Sequence, residues 1–204
     1  MFASQLNSYG HNGFQVAKLR FEDFLDMSLK EPDIEFAAGE LAMIDLASLT
    51  FVHTALSYVA LLTGAIVVAG LFGLRINQIW TAIFLLTAIA TSATGFLFPF
   101  NQVLPSHIVG GVALLVLAAA MVGMYVFHLA GYWRRIYAAG IVASLYLLVF
   151  VGIAQAFMKI AVLKQLAPTT TELPFAVAQG VTLLIFIAIG VMATRGFRAP
   201  PVAT

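Results

Sequence analysis

After residue 45 the chain is dominated by five long apolar runs, each closed by charge, proline or both. They cover about 46–74, 79–98, 106–133, 136–158 and 175–194. A helix crosses the hydrocarbon core with roughly 20 apolar residues, since ~1.5 Å of rise per residue must span ~30 Å. Between Ile76 and Trp133 no Asp, Glu, Lys or Arg occurs. That stretch is too long for one crossing and suits two, with a turn at Pro99–Pro105. The expected fold is all-α: an integral membrane bundle of five transmembrane helices over 46–198, with a polar and amphipathic N-terminal extension and a short tail, 199–204. An odd number of spans puts the termini on opposite sides.

Residues 1–45 follow a different pattern. The first thirteen contain the turn-prone Asn12-Gly13 pair, and no basic start followed by a short apolar core marks a secretory signal. From Phe14 to Leu29, apolar residues recur at helical spacing (Phe14, Ala17, Phe21, Phe24, Leu25), with Lys18, Glu22, Asp23 and Asp26 elsewhere on the wheel. This predicts an amphipathic helix over 14–29, ended by Pro32. Its polar face is acidic rather than Lys/Arg-rich, so packing on the protein itself or on a partner suits it at least as well as a membrane surface.

Composition sharpens the division. The chain is 62% hydrophobic and 9% charged, whereas soluble domains carry about 25% charged residues. Residues 1–45 hold eight acidic and three basic side chains, against one acidic and seven basic in 46–204. Arg75, Arg134, Arg135, Arg195 and Arg198 all follow odd-numbered spans and so share one face. By the excess of basic residues in cytoplasmic loops, that face is cytoplasmic. The C-terminus is then inside, and the 45-residue extension must be translocated. The absence of cysteine excludes disulfides, thiolate metal sites and c-type haem attachment.

Threading the spans in alternating directions gathers polar residues in the outer half. His53, Thr54 and Ser57 come from the first span, and Thr91, Ser92 and Thr94 from the second. His107 opens the third, Gln155 and Lys159 close the fourth, Gln179 lies in the fifth, and Glu172 sits in the outer loop just before it. An unpaired polar group in hydrocarbon costs several kcal/mol, so these groups should face inward around an outward-opening pocket. His53 and His107 are at similar depth on different helices. They could ligate one b-type haem or part of a metal's shell. Alternatively, His107 anchors an interfacial helix start and His53 hydrogen-bonds to a threonine or a carbonyl. His128 lies ~31 Å from His107 along one helix, among Tyr125, Tyr132, Trp133 and Tyr137. Those aromatics mark the inner boundary, and His128 reads as interfacial. Lys159 and Glu172 flank the Pro168 loop and could pair across it.

There is no phosphate-binding glycine loop, no His-Glu-x-x-His helix and no nucleophile elbow. Basic patches for nucleic acid are absent too, and no span contains a carboxylate, against a carboxylate-driven transporter. Several strings together resemble a family of small multi-span membrane proteins of proteobacteria: Thr94-Gly95-Phe96-Leu97-Phe98-Pro99, Pro105-Ser106-His107-Ile108-Val109-Gly110, Trp133-Arg134-Arg135-Ile136-Tyr137, Gln155-Ala156-Phe157-Met158-Lys159, Leu166-Ala167-Pro168-Thr169 and Glu172-Leu173-Pro174-Phe175. The resemblance covers about 50–198 and implies a multi-pass protein of the bacterial inner membrane, with no particular activity. It also makes residues 1–42 look like an extension, so that translation would start at Met43.

Three functions fit these residues. One is a non-enzymatic accessory or assembly subunit beside a larger membrane complex, or a homo-oligomer. The second is a single-haem or quinone-linked redox protein using His53 and His107, with Gln155 and Lys159 near a propionate or quinone oxygen. The third is a pore or carrier for a small neutral or weakly acidic solute.

Overall fold

The computed structural model describes Arg20 and residues 32–73, 76–98 and 105–197, with side chains from residue 46 in the first helix and from residue 108 in the third. The amphipathic candidate 14–29, the tail 199–204 and the side chain of His107 lie outside the described residues. The chain divides into two units, residues 1–48 and 49–204. Every regular element described is a helix: α1 Pro32–Phe72, α2 Gln78–Gly95, α3 Pro105–Met121, α4 Trp133–Lys159, the short α5 Ala161–Leu166, and α6 Leu173–Gly196. Five of them contain stretches long and apolar enough to cross a membrane, over Leu46–Phe72, Gln78–Gly95, Ile108–Val126, Trp133–Lys159 and Leu173–Gly196. The protein is a multi-pass integral membrane protein.

Two boundaries differ from the sequence pattern. Pro32 opens α1, 14 residues before the expected start of the first span at about residue 46. Its fixed φ and missing N–H suit the first helical position, where the donor has no intrahelical partner. The run expected over 106–133 stops early: α3 passes into a π turn at Val122–Val126, and a loop at 127–132 reverses the chain. His128 (φ 49°), Leu129 (φ 60°) and Gly131 (φ 52°) take left-handed conformations there. The Leu129 N–H donates to the Gly123 carbonyl at 2.9 Å, and Phe127 stacks on Trp133 at 4.0 Å. Val126, Phe127 and Leu129 are as apolar as the helix they end, so hydropathy carries no sign of this turn.

Helix α4 is the centre of the second unit and borders α3, α5 and α6. Its buried side chains, including Tyr137, Ala138, Ile141, Val142, Ser144 and Leu145, recur at helical spacing. Small residues let neighbours approach it. A Cβ on Gly140 would lie 3.0 Å from the Ala120 Cβ of α3. On α1, a Cβ at Gly64 would sit 2.7 Å from the Phe84 ring of α2 and 2.9 Å from Leu145 of α4. Lipid tails are as apolar as leucine, so such close contact is a main source of helix association.

The space around Gly64 gives a direct test. Phe84 is fully buried and cannot swing away freely. Gly64→Ala should therefore cost about 1–3 kcal/mol by overpacking and lower the melting temperature in detergent, and Gly64→Leu should prevent assembly of the bundle. Gly152→Ala, where a Cβ meets nothing within 4 Å, should leave the melting temperature unchanged or slightly raised.

Candidate functional site

His53 is the best-placed ionisable group within a span. It projects from α1 beside the C-terminal turn of α2, where its Nδ1 lies 3.0 Å from the Thr94 hydroxyl. That hydroxyl also reaches the Ala90 carbonyl at 2.8 Å and the Thr91 carbonyl at 3.1 Å. A threonine hydroxyl has one proton to give. With that proton on the Ala90 carbonyl, Nδ1–H of His53 becomes the donor to Thr94, and the lone pair falls on Nε2. The Phe98 ring meets the imidazole edge-on at 5.4 Å. Gly95 leaves room beside the ring, since a Cβ there would lie 3.7 Å from the imidazole Cε1.

The other residues expected in the pocket divide among separate places. Ser57 donates to the carbonyl of His53, one turn earlier in its own helix, at 2.7 Å. Thr91 lies one turn before Thr94, with its hydroxyl buried and without a hydrogen-bond partner. Thr54 is half-buried on α1. Gln155 and Lys159 are exposed at the end of α4. Gln179 ties α6 to α4: its Nε2 donates to the Phe150 carbonyl at 3.0 Å, and its Oε1 is buried without a partner. Among the described residues, then, the structure brings His53, Thr94, Thr91 and Ser57 together. Gln179 and Glu172 serve elsewhere. No three His, Cys, Asp or Glu side chains among the described residues gather as metal ligands.

Glu172 serves its own loop. Its carboxylate accepts from the Thr169 hydroxyl at 2.8 Å and from the Thr169 and Thr171 N–H groups at 3.1–3.3 Å. The expected pairing with Lys159 is replaced by this local staple, which brings several donors to the carboxylate without ordering a long lysine side chain. The Thr169 hydroxyl bond is the main reason the carboxyl stays below the usual carboxylate range.

A second polar pair lies at the opposite end of the spans. The Thr81 and Tyr137 hydroxyls are 3.3 Å apart, and both residues are buried. Tyr137 was expected at the membrane boundary. Instead it is wholly enclosed and packs on Phe197 at 6.1 Å between ring centroids. Tyr125 and Tyr132 keep the exposed position. A cleft of about 270 Å3 lies here, lined by Gly70, Leu71, Ile76, Asn77, Trp80 and Tyr137 among others. The sequence pattern directed attention to the other end, where polar residues are more numerous. The one available signal was Thr81 and Tyr137 falling at the same depth of neighbouring spans.

No protein-family model, curated protein or solved structure matches the chain.

The Glu172 staple implies a pH dependence of defined sign. A carboxyl whose folded pKa is depressed stabilises the fold above its unfolded pKa, and that contribution is lost as pH falls through the folded value. Hydrogen exchange at the Thr169 and Thr171 amides, corrected for the intrinsic rate, should accelerate below the usual carboxylate range. Glu172→Ala should show the faster exchange at neutral pH already.

Proposed function

We propose that the protein is a non-enzymatic accessory or assembly subunit of a bacterial inner membrane, with its C-terminus in the cytoplasm. The supporting observation is the state of α6. Only 6% of its membrane window is buried within the molecule, against 39% for α4. Leu173, Val177, Val181, Leu184, Ile187 and Met192 point away from the bundle on several sides. Ala176 is exposed, and a Cβ on Gly180 would meet nothing within 4 Å. Small residues four apart allow another helix to approach closely in lipid. A helix that lies along α4 on one side and leaves the rest of its surface uncovered suits lateral packing against a second protein or another copy.

A second reading rests on His53. With Nδ1 held by Thr94, Nε2 carries the free lone pair, which suits a ligand to a single b-type haem or a hydrogen bond to a quinone. Within that reading His107, on the first turn of α3, supplies the second ligand. The Thr/Ser/His cluster as the entrance of a small-solute pore has less support, because Ser57 and Thr94 bond within their own helices.

The absence of cysteine makes the first reading easy to test. In native membranes, Leu184→Cys on α6 should cross-link into one discrete larger species, whereas Leu86→Cys on the exposed face of α2 should not. Equal diffuse cross-linking from both positions would remove the accessory role through α6. Protein purified from haem-replete cells, examined by a reduced-minus-oxidised visible spectrum, decides the second reading. Bands lost in His53→Ala support it, and a featureless spectrum ends the haem form.

A further inference from the structure

We propose that Arg134 and Arg135, at the turn between α3 and α4, bind the phosphate of an anionic phospholipid headgroup. Both arginines fall in the first turn of α4. A helix N-terminus carries positive partial charge, so cations there are placed against the macrodipole. Nothing in the helix offsets this: the first turn contains no acidic residue, and Tyr132 at the cap position makes no side-chain cap bond. The Arg134 Nε is buried and has no hydrogen-bond partner. Arg134 as a whole is only partly buried, and an anion beside the open part of its guanidinium would offset the macrodipole penalty.

The membrane domain has no carboxylate to provide. Residues 46–204 contain one acidic side chain, Glu172, and its oxygens are taken by Thr169 and Thr171. Glu172 also precedes α6, while the far end of that helix meets α4 through Phe197 and Tyr137. The separation is roughly 36 Å along α6 at ~1.5 Å per residue. Arg195, two residues before Phe197, adds a third cation at the Arg134 end.

The surroundings fit a lipid better than a free anion. Tyr125, Val126 and Tyr132 are exposed, at 50%, 64% and 78%, in the mixture of aromatic and apolar groups found at headgroup level. The Arg135 guanidinium is held over the Tyr132 ring at 5.7 Å. The Phe127–Trp133 stack, with rings 6° from parallel, fixes the turn from which both arginines project. A guanidinium can present paired N–H donors to a phosphate, which a lysine cannot.

The test uses the full chain in detergent, with binding of phosphatidylglycerol, phosphatidylcholine and inorganic phosphate followed by native mass spectrometry and thermal shift. Wild type should bind phosphatidylglycerol in preference to phosphatidylcholine. Arg134→Lys and Arg135→Gln should each weaken that binding about tenfold, and Lys164→Gln at the other end should leave it unchanged. Arg134→Lys keeps the charge and removes the planar fork, so unchanged binding in that variant would mean diffuse attraction and would overturn the site. Equal binding of the two lipids, or the same stabilisation by inorganic phosphate, would also overturn it. Arg135 is exposed, so Arg135→Gln keeps the test decisive if Arg134→Lys fails to fold.

Discussion

In hydrocarbon no water is present to satisfy a backbone N–H or carbonyl, and this constraint governs the whole molecule. It makes each apolar run a helix before any tertiary contact forms. It also removes the hydrophobic effect as the force between helices, so that association depends on how closely backbones approach. Gly64 and Gly140 are the tightest such places among the described residues, bringing α1 against α2 and α4, and α3 against α4. The glycines of helix α6 make no equivalent close contact. Its glycines at 180 and 196 face open space, and a Cβ at Gly190 would touch Val142 only at ordinary distance. The tight seams of the bundle follow from where small residues fall, and α6 lies along α4 without a glycine seam of that kind.

The same constraint decides what becomes of polar side chains. Ser57, Thr63, Thr87, Thr182 and Thr194 all donate to a carbonyl four residues earlier in their own helix. Bonds of this kind satisfy a hydroxyl without help from another span. A cluster of threonines at one membrane depth therefore need not enclose a pocket. The informative polar groups are those that escape this local solution: His53, Gln179, Arg134, and the Thr81–Tyr137 pair.

The number and placement of the spans were legible because charge and proline interrupt the hydropathy at nearly every boundary. Leu46–Phe72 and Gln78–Gly95 fall close to their expected limits. The end of the third span was illegible for the converse reason, since the turn at 127–132 is built largely from apolar residues and its cause is left-handed backbone at His128 and Leu129. The meeting of His53 with Thr94 was visible as far as depth allowed: antiparallel threading puts both at one end of their helices. The hydrogen bond itself depends on rotation about the helix axes. Hydropathy carries little of that information when a span is apolar on every side, and the same rotation decided that Gln155 points outward while Gln179 points inward.

The two ends of the spans thus face different chemical demands. At the His53 end, Thr94 supplies a bonding group to the imidazole, and the only carboxylate of residues 46–204 is consumed by its loop. The Arg134 end has cations and no acid of its own, with its buried hydroxyls committed to each other. Positive charge retained on one side of the bilayer would be satisfied by exposed lysines, whose strongly hydrated heads cost little in water. Arginines in the first turn of a helix, one with a buried and unsatisfied Nε, are a more demanding arrangement than topology alone requires. The anion they lack must come from outside these spans, and the abundant anions at that depth are the phosphates of the bilayer.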